Sequence, residues 1–179
     1  MTSKTEFYYM DDDVTQPFTA PHNSGKATPV EELLKLGVLY FQYPELEQVN
    51  ELAKQRHYKN RDHIELSKEK IPEDVLNEKL KIFYEEHLHE DEEIRYIVDG
   101  EGYFDVRDLQ DRWIRCKVVA NDLLILPEGI YHRFTLTDKF YVKAIRLFQD
   151  EPKWIAINRA ELDKGGEIAR QQYLASVSA

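Results

Sequence analysis

The sequence predicts a mainly β protein, an antiparallel sandwich or barrel, with helices gathered in its N-terminal half. Two observations carry this. From residue 87 onward the chain runs in short alternating apolar and polar stretches separated by turns, whereas before it apolar residues recur at helical spacing. At 179 residues the chain is sized for one domain around one core. It divides into a helical part over about 1–84, a β-barrel core over about 87–148 and a tail over about 149–179.

Residues 7 to 10 read as a short strand, followed by a polar connector in which Ala20-Pro21-His22-Asn23-Ser24-Gly25 has turn chemistry throughout. Thr28-Pro29-Val30-Glu31 then opens a first helix, with Thr28 as N-cap, Pro29 at the first helical position and Glu31 in the capping-box place. Gly37 stops it. Val38 to Phe41 is a strand, and Glu45 to Arg56 a second helix with Leu46, Val49, Leu52 and Ala53 along one side. Tyr58 to Asp62 is a polar cluster, and Ile71-Pro72-Glu73 opens a third helix carrying Val75, Leu76, Leu80 and Phe83. Six strands follow: Glu93 to Val98, Tyr103 to Arg107, Trp113 to Val119, Leu123 to Leu126, His132 to Leu136 and Tyr141 to Phe148. Asp99-Gly100-Glu101-Gly102 reads as a hairpin turn between the first two. A terminal helix is expected around Ile168 to Leu174.

Composition excludes several classes of function. With 34 acidic against 24 basic residues, the formal net charge of -10 opposes binding to phosphate backbones and anionic membranes. No run approaches a membrane span, and the first residues lack the apolar centre of a signal peptide. Cys116 is the only cysteine, so no disulfide can form within the chain; between Ile114 and Val118 on one strand face it reads as a buried thiol. These features describe a soluble, cytoplasmic monomer, with the nucleus left open as a second compartment.

The chemistry lies in His87-Leu88-His89-Glu90-Asp91-Glu92-Glu93 and in Leu126-Pro127-Glu128-Gly129-Ile130-Tyr131-His132. On a strand, residues two apart share a face, so His87, His89 and Glu93 point one way, with Arg95 just beyond. A helix would pair His89 with Glu93 and send His87 elsewhere. The competing reading is an acidic, solvated helix face in which the histidines carry no function. Imidazole and carboxylate together suit iron, nickel or zinc, and His132 would make a fourth ligand. In an octahedral site four ligands leave two positions for a chelating substrate; a tetrahedral zinc site would leave none.

His87-x-His89-x-x-x-Glu93, followed by Gly100, resembles the first cupin motif, and Pro127-x-Gly129-x-x-His132 resembles the second. With Gly102 to Asp108, Leu123 to Pro127, Tyr131 to Leu136, the Ala20–Gly25 and Tyr58–Asp62 segments and Asp150 to Trp154, the chain resembles the acireductone dioxygenase family along nearly its whole length. One departure stands out: the second motif commonly begins with glycine where this chain has Asn121, the non-glycine residue that best tolerates a left-handed turn.

The resemblance implies a cupin double-stranded β-helix, a jelly-roll barrel with flanking α-helices. It also implies one Fe(II) per chain, with Ni(II) as the alternative metal, held by His87, His89, Glu93 and His132. The substrate would be a small enediol, 1,2-dihydroxy-5-(methylthio)pent-1-en-3-one, chelated at the two open positions and attacked by O2. The iron form would give formate and 4-methylthio-2-oxobutanoate; the nickel form would give formate, carbon monoxide and 3-(methylthio)propanoate.

Around these ligands, strand parity places Arg95 beside Glu93, where its guanidinium can offset a bound enediolate. Arg146 shares a face with Val142, Ala144 and Phe148; pointing inward it needs a partner, because an unpaired buried charge is costly. Both stand as catalytic and substrate-binding candidates: Arg95 by that parity, against a surface salt bridge in this acidic stretch, and Arg146 because the family pattern carries it over as a pocket residue. Phe134, on the face of His132, and Phe83, one helical turn before His87, can pack against the methylthioalkyl group or simply belong to the core. His22, His57 and His63 read as surface or loop-anchoring residues. Another metal-dependent cupin enzyme, an isomerase or a different small-molecule dioxygenase, would use the same cage, and a non-catalytic cupin would bind a ligand or protein without needing all four ligands.

Overall fold

The computed structural model describes residues 3–149, 155–164 and 166–178, without the side chains of 163 and 164. Along the chain come β1 (Glu6–Met10), β2 (Asn23–Ala27), α1 (Val30–Lys35), β3 (Leu39–Gln42), α2 (Leu46–Gln55), β4 (Asn60–Ser67) and α3 (Glu73–Tyr84). Then follow β5 (His87–Leu88), β6 (Glu93–Arg107), β7 (Trp113–Val119), β8 (Asp122–Leu126), β9 (His132–Leu136), β10 (Tyr141–Phe148), β11 (Ile157–Asn158), a 3-10 segment (Arg159–Lys164) and α4 (Glu167–Val177). No helix among the described residues is long and apolar enough to cross a membrane.

All pairings are antiparallel and build two layers that share β6. One layer runs β11-β5-β9-β6-β7-β1-β2. The other runs β4-β10-β6-β8-β3. This is the cupin-type barrel with flanking helices that the sequence leads one to expect. The larger apolar cluster joins both layers to α1 and α3 through Leu33, Leu76, Leu80, Val106, Cys116 and Leu136 together with Leu66 and Val142. Cys116 is fully buried, and burial pushes its thiol well above the ordinary range.

Three expectations are corrected. First, Asp99 to Gly102 is no hairpin. The strand continues through it, pairing with β8 and β10 on the near side and with β7 and β9 on the far side. Gly100, at φ 78°, supplies the bend, and a Cβ there would stand 2.3 Å from the Tyr141 carbonyl oxygen. Bulk is excluded at Gly102 too, where a Cβ would meet the Phe134 ring at 2.7 Å. Second, helices do not fill the N-terminal half: β1 to β4 contribute to both layers. The period of two in β4 is weak in the sequence because its outward residues Arg61 and His63 are polar and only Ile64 and Leu66 mark the inner face.

Third, Thr28 does not cap α1. Its backbone N–H goes to the Phe7 carbonyl, 2.8 Å away, which continues the β1–β2 ladder, and Pro29 takes the cap position in an extended conformation. The other elements read from the sequence fall within a residue or three of their positions, while β2, in the stretch read as a polar connector, and β5, β11 and the 3-10 segment are unexpected. Asn121 adopts φ 79°, so the turn survives the loss of glycine. Cys116 is buried as expected, and His22 anchors its loop through Asp11 Oδ1 at 2.9 Å and the Pro17 carbonyl at 2.8 Å. Asp150 to Trp154 lie outside the described residues.

Two outcomes follow for stability and reactivity. Gly100→Ala strains the left-handed backbone and forces apart β6 and β10, so it should lower unfolding free energy in urea by at least ~2 kcal/mol. Cys116 should resist a thiol-specific disulfide reagent in native buffer and react fully in guanidinium; rapid native labelling would contradict the burial.

Candidate metal centre

His87, His89, Glu93 and His132 converge, but not by the parity of one strand. His87 lies in the two-residue β5, paired to His132 of β9 and to Asn158 of β11. His89 follows that strand, and Glu90 and Asp91 pass through solvent before Glu93 opens β6 beside Leu126 of β8. The run therefore crosses from one layer to the other, and four residues that would fan out along a line are folded around a point.

The ligating atoms that His87, His89 and His132 can offer lie within 4.8 Å of one another. Each ring is fixed from behind at Nδ1: His87 to the Glu85 carbonyl at 2.6 Å, His89 to the Ile155 carbonyl at 2.8 Å, and His132 to the Ile130 carbonyl at 2.9 Å. A carbonyl can only accept, so each Nδ1 carries the proton and each Nε2 presents a lone pair. Orienting imidazole ligands through the other ring nitrogen is how metal sites are commonly built.

Glu93 completes the group, with Oε2 2.6 Å from His132 Nε2 and 3.4 Å from His89 Nε2. The first approach is not aligned as a hydrogen bond: both atoms are fully buried and neither has a hydrogen-bonding partner. Two orphaned acceptors face to face are unfavourable unless something positive lies between them. The set of three neutral imidazoles and one carboxylate fits a divalent transition metal.

The electrostatics agree. Burial, reinforced by the neighbouring His132, lowers the pKa of His87 to about 3, so it is neutral and ready to ligate at any ordinary pH. Burial likewise lowers that of His89, against the pull of Glu93. For Glu93 burial works the other way, but the Arg95 guanidinium foremost opposes it, and the carboxyl is held well below its usual range. Arg95 Nη2 lies 2.6 Å from Glu93 Oε1.

The cluster sits at the polar end of a cavity of about 230 Å3 between the two layers. Its other walls are almost wholly apolar: Ile64, Leu66, Ile97, Phe104, Val142 and Ala144. Phe83 and Phe134 both line it, edge to face with ring centroids 6.3 Å apart. Arg95 and Arg146 line it as well, and the inward Arg146 has the partner it requires: Asp62 accepts from its Nε at 2.8 Å and its Nη2 at 2.7 Å.

Sequence reasoning missed Asp62, although the pattern Asp62, Ile64, Leu66 carried the signal. It also missed the grouping of Arg56 and Tyr58 on Glu92, beside Glu93, and the three carbonyls behind the imidazoles. No spacing rule reports a backbone oxygen 66 residues away in sequence, as Ile155 is from His89.

Residues 6–156 match the model of the ARD/ARD' family. The chain is 56% identical over 175 residues to the acireductone dioxygenase of Yarrowia lipolytica, covering 97% of this chain and 99% of that one. It is 52% identical over 174 residues to that of Saccharomyces cerevisiae, covering 96% and 97%. Among solved structures it resembles an acireductone dioxygenase from Bacillus anthracis with a cadmium ion in its active centre, at a TM-score of 0.63 and 28% identity over 71% of this chain and 86% of that one. A match of this length, joined to the barrel and its buried imidazole cluster, has one meaning: the chain belongs to the ARD/ARD' family.

Proposed function

We propose that the protein is an acireductone dioxygenase in which His87, His89, Glu93 and His132 hold one Fe(II), with Ni(II) as the alternative. The observation that carries this is the pair of buried, unpartnered atoms, Glu93 Oε2 and His132 Nε2, at the polar end of an otherwise apolar cavity. When bound, the metal supplies a Lewis-acid centre for the two enediol oxygens and redox access to dioxygen.

The residues of the chain divide the remaining work. Arg95, tied to Glu93, keeps that carboxylate ionised and brings a fixed positive charge next to where an enediolate would bind. Arg146 brings a second from β10. Phe83, Phe134 and the aliphatic wall exclude water and bury the methylthioalkyl group, worth about 0.8 kcal/mol per methylene. The cavity lies below the roughly 300–1,000 Å3 of pockets for drug-sized ligands, which suits a small substrate.

Metal retention can be read without turnover. With free metal on the order of a hundredfold above Kd, the protein should gain about 3 kcal/mol in unfolding free energy over chelator-treated samples. His87→Ala should abolish most of that gain and the bound metal with it; full metal content in this variant would remove His87 from the ligand set.

Function is tested with protein loaded anaerobically with Fe(II), then given 1,2-dihydroxy-5-(methylthio)pent-1-en-3-one and oxygen. Both should be consumed, with formate and 4-methylthio-2-oxobutanoate formed; the nickel-loaded protein should release carbon monoxide. A fully metallated sample that takes up no oxygen would sink the proposal.

A further inference from the structure

The cavity wall formed by β4, β10 and β6 is a ladder of three rungs. In register across the strands stand Asp62, Arg146 and Arg95; next Ile64, Ala144 and Ile97; then Leu66, Val142 and Gly100. Parity turns one face of all three strands to the cavity, and every residue of these rungs except Asp62 and Gly100 lines it. One rung is charged and the other two are apolar, so the sheet itself carries a polar end and a greasy end.

The charged rung has an unusual order. Two guanidiniums stand directly opposite each other on adjacent strands, an arrangement that is destabilising by itself. Carboxylates bound it at both ends: Asp62 takes two hydrogen bonds from Arg146, and Glu93 lies 2.6 Å from Arg95. Since Glu93 belongs to the imidazole cluster, Asp62 is the carboxylate of the rung committed to Arg146.

We propose that Asp62 is a positioning residue, whose two-pronged grip fixes the Arg146 guanidinium in the cavity wall so that an anionic, oxygen-bearing substrate head is held between Arg146 and Arg95. This rests on the proposed function for the identity of the substrate but not for the role of the rung. Asp62 acts through Arg146 and lies outside the cavity lining. A two-pronged Arg–carboxylate pair constrains orientation as well as distance, which one bond to a flexible cation would not do.

The test uses the full chain loaded with zinc, titrated calorimetrically with acetohydroxamate, an anionic chelator with two oxygens, alongside steady-state kinetics of the iron form. Asp62→Asn should weaken chelator binding and raise KM by about tenfold, with kcat and metal content little changed. Asp62→Glu should restore most of the loss. Glu65→Gln, on the opposite face of β4, should match the unaltered protein. Arg146→Lys should cost about as much as Asp62→Asn, and the double variant no more than either, because the two act as one unit.

Additive losses in that cycle, or unchanged chelator binding and KM in Asp62→Asn, overturn the assignment. If Asp62→Asn does not fold, Asp62→Ser takes its place beside Arg146→Lys: equal losses in KM and chelator binding with full metal content support the rung, and unchanged values overturn it. Absence of oxygen uptake by the unaltered iron protein, with the chelator pattern as expected, would reject the proposed reaction and leave the role of Asp62 standing.

Discussion

One strand, β6, belongs to both layers of the barrel, and it can do so only because the chain bends at Gly100 without ending. Before the bend its residues pair with β8 and β10, after it with β7 and β9. A side chain at Gly100 would collide with the Tyr141 backbone, so the bend and the approach of β10 are one condition. From it follow the positions of Glu93, Arg95 and Ile97 on one wall and of Phe104 on the other. The cavity is the space that one continuous strand leaves on the concave side of its own bend, and ligands from both layers face each other across it.

Burying this much polar chemistry needs local compensation at every group. Each imidazole gives its Nδ1 proton to a carbonyl. Glu93 stays ionised beside Arg95, and Arg146 is matched by Asp62. In the cavity, what is left uncompensated is the facing pair Glu93 Oε2 and His132 Nε2; among the described residues Thr28 Oγ1, ahead of α1, is the other buried side-chain atom without a partner. The same logic recurs on the far side of the barrel, where the fully buried Arg115 gives two hydrogen bonds to Asp105 and two to the Phe18 and Ala20 carbonyls. That second network pins the polar connector after β1 and makes a charged strand interior tolerable.

Much of this was legible in the sequence because it depends on residue type and short spacing. Strands β7 to β10 announced themselves by alternation and turn chemistry, and the four candidate ligands by their types and order. What was misread has physical causes. A glycine-rich stretch signals a tight change of direction, but sequence does not say whether the chain reverses, as in a hairpin, or bends and continues, as at Gly100. The His87–Glu93 run satisfied a strand pattern although it is a strand, a crossing and a second strand. The inference of a shared face was wrong in its route and right in its destination, since both ends are fixed by different neighbours. β4 was hidden because an outer strand needs only one apolar face.

The sequence by itself determined the class of fold, the chemistry of the cluster, the burial of Cys116 and the need for a partner to Arg146, because all of these follow from the cost of placing given side chains in or out of water. Only the tertiary structure decided which groups meet: that Asp62 is the partner, that three backbone carbonyls set the tautomers, and that two layers bring Glu93 against His132. Those facts depend on strand register across distant segments, and register is settled by the packing of the whole barrel, where no local pattern reaches.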